Sequence, residues 1–196
     1  MTSAGPGRHG TRFPSGRLVI VLLVASTVLW AVLFFVTLPH LQTLAGGAVP
    51  FDLRWSGYSL ADAQALLAAL GESGRAYYRN PELVLDAIFP ALYAASRALA
   101  LWWLTMPGRL RAGRVAPAWR AALVALPVLE AVLDWGENSG IAIMLGTWPD
   151  LSASLVQAAS VATQLKLVAA ALTELATVVL AVAVFARWRR RRASPA

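Results

Sequence analysis

The chain has 196 residues, 58% of them hydrophobic and 14% charged, with 17 Lys or Arg, 10 Asp or Glu and no cysteine. Soluble domains run nearer 45–50% apolar and about 25% charged, so a soluble globule is excluded; without cysteine, so are disulfides, thiolate metal sites and a Cys nucleophile. The net charge of +7 would suggest nucleic acid in a soluble protein, but here the arginines flank apolar segments and no base-reading module accompanies them, so a bilayer is expected and nucleic acid is not.

Residues 1–16 are rich in Gly, Pro, Ser and Arg and read as a disordered tail. The segment 18–38 carries no charge and has the length of about 20 residues that a helix needs to cross the hydrocarbon. It exceeds the roughly 7–15 residues of a cleaved signal core, so a retained first span is expected. In the loop 39–82, Ser59 and Asp62 stand at capping-box spacing and Leu60, Ala63, Leu67 and Leu70 recur on one helical face. With Gly71 as a C-cap, they predict a short amphipathic helix over 60–70, lying on the outer membrane surface or over the bundle. Asn80 and Pro81 suit the start of a second span.

Three further spans are expected at 83–106, 116–138 and 161–186, with the chain looping outside from there to residue 160. Each is interrupted by ionisable residues: Asp86 and Arg97, then Glu130 and Asp134, then Lys166 and Glu174. The arginines sort by side. Arg8, Arg12 and Arg17, then Arg109, Arg111, Arg114 and Arg120, then Arg187 and the run 189–192 fall at one end. Arg54, Arg75 and Arg79 in the loop 39–82 are diluted by acids. The positive-inside rule then puts both termini in the cytoplasm and 39–82 outside a cell membrane. Tryptophans mostly fall at span ends; Trp30 is the exception. The expected fold is an all-α polytopic integral membrane protein, one four-helix transmembrane domain over 17–188. A polybasic tail, 189–196, fixes topology and meets anionic lipid.

The intramembrane polar residues carry the functional signal, because ionisable groups in a span are costly and usually face the bundle interior or a water-filled cavity. Asp86, Pro90, Tyr93 and Arg97 share one helical face; so do Glu130, Asp134, Glu137 and Asn138, and so do Thr163, Lys166, Ala170, Thr173 and Glu174. By helical rise, Asp86, Asp134 and Lys166 sit near the outer surface, Glu137 and Asn138 at its rim, Tyr93, Glu130 and Glu174 near the middle, and Arg97 in the inner half. The expected site is a polar pocket open to the outside, with the uncharged first span supporting the bundle from one side. Asp86, Glu130 and Asp134 are the candidate catalytic acids and bases. Tyr93, Arg97, Glu137, Asn138, Lys166 and Glu174 are the candidate ligand-binding residues, with Lys166 or Arg97 suited to an anionic group. His40 is a candidate at the mouth.

Pro90 and Pro127 each free a helical carbonyl, and Gly136 with Gly140 would let a helix approach closely. Nothing in the sequence points to a nucleophile motif, a cofactor or a metal. The favoured function is binding or processing of a lipid-like substrate. The alternatives are a small proton-coupled transporter, and an accessory or structural subunit working as a homo-oligomer or with a membrane partner.

Overall fold

A computed structural model describes residues 15–110 and 115–193. The tail expected over 1–16 lies outside the described residues except for its last two, as do Arg111, Arg114 and the final three residues of the basic tail. Secondary structure among the described residues is entirely helical. Three segments, Gly16–Leu44, Gly71–Leu104 and Ala153–Ala193, are long and apolar enough to cross a membrane, which is compatible with a multi-pass membrane protein.

Helix α1, Gly16–Leu44, begins where the Ser15 hydroxyl accepts the Leu18 N–H at 3.2 Å, so helix already replaces the expected tail at Gly16. Over Leu33–Thr37 it widens into a π turn. Pro39 supplies the reason: it has no N–H for the carbonyl of Phe35, and the ladder re-registers around the gap. The Thr37 hydroxyl donates to the Leu33 carbonyl at 3.1 Å inside this turn.

A compact cap follows. It holds a short 3-10 turn, Phe51–Leu53, then α2, Leu60–Ala69, and α3, Gly71–Tyr77. Helix α2 starts on a reciprocal capping box: the Asp62 N–H donates to the Ser59 hydroxyl at 3.2 Å, and the Ser59 N–H to the Asp62 carboxylate at 2.8 Å. The Ser59 hydrogen bonds hold the Asp62 carboxyl below its ordinary range. Ala63, Leu66, Leu67 and Leu70 turn inward, with Leu66 taking the place expected for the half-buried Leu60. They pack with Leu41, Phe51 and Tyr78, and with Ile141, Met144 and Val156 from two later helices.

Helix α4 is Leu83–Leu104, α5 is Pro117–Thr147 and α6 is Ala153–Ala193. Asn80, before Pro81, is extended (φ −160°, ψ 111°), as a residue preceding proline prefers, and it separates α3 from α4. The loop expected up to residue 160 is corrected: α5 runs on to Thr147, α6 begins at Ala153, and only a short turn joins them. Gly136, Asn138, Ser139 and Gly140 are residue types that favour turns, but the helix runs through them, and Asn138 and Gly140 have partners on neighbouring helices. Glu137 and Asn138 are buried against neighbouring helices, and Gly140 sits so close to Ala159 that a Cβ there would lie 2.8 Å from the alanine methyl. Gly136 has open space in the same test. The two extended ends thus form a hairpin on which the cap rests. Gly57, with φ +82°, lets a cap turn meet α6, where the Tyr58 N–H donates to Ser160 at 2.7 Å.

The four long helices alternate in direction. Gly16 lies against Trp103, and Ser26 meets Ser96 at 3.0 Å, so α1 and α4 run antiparallel. Helices α4, α5 and α6 pack on one another along their lengths, whereas α1 leans on α4 and scarcely touches α6. The end opposite the cap gathers arginine and tryptophan. Arg109 lies 3.5 Å from the Trp103 ring centre, Arg120 faces Trp102, and Arg192 covers Trp188. Arg187 donates to the Leu110 carbonyl, tying α6 to the end of the α4 side. The run at 189–192, expected as a tail, continues α6 as helix.

Candidate functional site

Side chains at helical spacing on three helices meet inside the bundle, and their contacts follow from which turn each occupies. On α6, Lys166 lies one turn after Thr163. Its ammonium is 2.9 Å from Asp134 Oδ1 and 2.5 Å from Glu137 Oε2, both on α5, and 3.6 Å from Asp52 Oδ1 in the cap. The Thr163 hydroxyl donates to the other Glu137 oxygen at 2.7 Å, and the Tyr78 hydroxyl to Asp52 at 2.7 Å. One buried ammonium therefore ties two helices and the cap together. A second pair lies further along: Arg97 Nε donates to Glu174 Oε1 at 2.6 Å, and the Tyr93 hydroxyl reaches the same oxygen at 3.2 Å. The Arg97 guanidinium also stands 5.1 Å from the Tyr93 ring centre.

Between these two ion-pair groups lies a cavity of about 480 Å³. Of the expected site residues, Asp86, Glu130, Asp134, Tyr93, Arg97, Lys166 and Glu174 line it. Glu137 and Asn138 stand behind its wall. Glu137 is fully buried on Lys166 and Thr163. The Asn138 amide donates to the Asp86 carbonyl at 3.3 Å, the acceptor that Pro90 leaves without its helical donor. Beside it, the Trp135 indole N–H donates to the Ala87 carbonyl at 2.9 Å. The proline break in α4 is thus met by two side chains of α5. His40 packs edge-on to Tyr77, 4.7 Å between ring centres, and is not among the cavity-lining residues.

The structure also brings in residues that sequence reasoning passed over. The first span was expected only to support the bundle, but Ser26, Trp30, Leu33 and Phe34 of α1 form one wall. The mid-span position of Trp30 was the available signal. Asp52 and Glu82 line the cavity as well. Both fall in the loop 39–82 by sequence, and nothing in local spacing places Asp52 beside a lysine more than a hundred positions away.

Asp52 and Leu53 of the cap are among the lining residues, and Asp52 is held by the Lys166 and Tyr78 contacts. On the flank where α1 and α6 scarcely touch, Trp30 is 43% exposed, Phe34 41%, and the Glu174 side chain 44%.

Six acids and two bases line the cavity, and the bases are committed. Lys166 holds Asp134 and Asp52, and Arg97 holds Glu174. Glu82, at 2% exposure, and Glu130, at 6%, are buried, and one carboxylate oxygen of each has no hydrogen-bond partner. Among the described residues no three His, Asp or Glu side chains are grouped to hold a metal ion. No family model matches the chain, and no curated protein or solved structure matches it.

Proposed function

We propose that this chain is a four-span membrane protein that binds a lipid-like amphiphile inside its bundle, admitted sideways from the bilayer between α1 and α6. Helix α5 is the fourth span. Its 31 residues give a length of about 46 Å, beyond the roughly 30 Å of hydrocarbon. Its low hydropathy comes from Glu130, Asp134 and Glu137, which are buried in the bundle and away from lipid. The Arg and Trp residues at the end opposite the cap support a cytoplasmic interface there and an outer cap. The exposed Val, Leu and Phe side chains of α1 and α6 suit acyl chains.

The observation that carries the binding reading is the cavity lined by α1, α4, α5 and α6 beside the sparsely packed α1–α6 flank, with aromatic, aliphatic and charged residues in its lining. An amphiphile matches both the apolar and the charged residues, and lateral admission spares its tail a passage through water. Glu130, with a free carboxylate oxygen, is better placed than Asp134, already held by Lys166, to move a proton on a bound ligand.

Mass spectrometry of the protein purified in mild detergent tests this reading. A bound amphiphile is expected with the wild type and should be lost in Ala170→Trp, which fills the cavity from α6. Equal retention by a folded Ala170→Trp variant, or no amphiphile with either, would overturn it.

A further inference from the structure

The charge pattern of the cavity specifies which head group it takes. Both lining cations are engaged, so an anionic head group would find no free partner. It would also face Glu82, Asp86 and Glu130, three acids that none of the ion pairs uses. The sequence-based expectation gave Lys166 or Arg97 an anion; both instead have carboxylate partners within the chain.

Two observations point to a cationic ligand independently of the acid count. Glu82 and Glu130 are each more than nine-tenths buried, line the cavity, and keep one carboxylate oxygen without a hydrogen-bond partner. A buried polar atom in that condition costs stability until a donor meets it. The lining also carries aromatic rings: Trp30 and Phe34 from α1, Phe89 and Tyr93 from α4. Ring faces attract ammonium groups, most strongly where water is excluded. Acids with an unmet hydrogen-bonding capacity and aromatic rings, lining one cavity, are the two elements that recognise an ammonium.

We propose that the cavity binds an amphiphile through an ammonium head group, held by Glu82 and Glu130 with Asp86 between them and covered by the Trp30 and Phe34 rings. The inference rests on the amphiphile reading above and narrows it to one class. The ammonium can belong to an amine-bearing lipid or to a free lipophilic amine, since both present the same group.

The test is calorimetric titration of the full chain in neutral maltoside micelles. The probes are octylammonium, whose head has three N–H donors, and octyl sulfate, which share a tail and differ in the sign of the head. Saturable binding of the ammonium alone is expected, weakened roughly tenfold or more by Glu130→Gln or Glu82→Gln, as for loss of a charged partner. Trp30→Leu should weaken it as well and keeps the proposal testable if a Glu variant fails to fold. Binding of octyl sulfate as tightly, or ammonium binding indifferent to all three substitutions, overturns the head-group assignment and leaves the amphiphile reading standing. Failure of both probes to bind overturns both. Comparing octylammonium with a short-chain phosphatidylethanolamine separates the two sources, and the tighter ligand identifies the source.

Discussion

Lys166 is the residue on which most of the interior depends. It is buried, and three carboxylates from two different elements approach its ammonium. Removing one partner of a buried ion pair leaves an uncompensated charge and typically costs about 3–5 kcal/mol. Lys166→Met should therefore lower the thermal midpoint in mild detergent by many degrees, and adding Glu137→Gln should restore part of the loss by removing one stranded charge. An unchanged midpoint for the single variant would mean that the cluster does not hold the helices together. The helical spacing of Lys166, Asp134 and Glu137 made their convergence legible in the sequence. Asp52 was not legible, because its contact depends on how the cap folds back rather than on any local period.

At the scale of elements, the far hairpin of α5 and α6 decides where the cap sits. Gly140 permits the approach of Ala159, while Gly136, one turn earlier, faces open space. The two glycines look alike in sequence and should behave oppositely. Gly140→Ala forces backbones or side chains apart and should cost about 1–3 kcal/mol, as overpacking does. Gly136→Ala should be neutral or stabilise by up to about 1 kcal/mol through helix propensity. Chemical denaturation of both variants in the same detergent checks the pair, and equal losses would contradict the packing described here.

The same stretch shows why boundaries were harder to read than periodicity. The polar stripes announced themselves through three- and four-residue steps. The helical extension past residue 138 did not, since Gly, Asn and Ser favour turns locally, and the partners of Asn138 on α4 and of Gly140 on α6 have no local signal. The helix after Ser59 was readable because its capping box is a local signal.

Across the whole molecule, the arrangement is three mutually packed helices with α1 leaning on one of them, roofed by the cap at one end and ringed by Arg and Trp at the other. The unpacked α1–α6 flank is a property of the assembled bundle. An uncharged α1 reads as a support on one side of the bundle, and its Ser26, Trp30 and Phe34 gain meaning only once the fold sets them in the lining with the charged stripes. Lateral admission requires this flank to be the way in. The chain has no cysteine, so Thr27→Cys with Ala170→Cys supplies the sole thiol pair, one on each side of the cavity. A flexible bis-maleimide can join them before or after the protein meets its amphiphile. Release of the copurified amphiphile into excess detergent, followed by mass spectrometry, is the measurement that bears most directly on the claim. Joining the loaded protein should trap the amphiphile, and joining the emptied protein should block its return. Exchange at the same rate with and without the bridge would contradict lateral admission between α1 and α6.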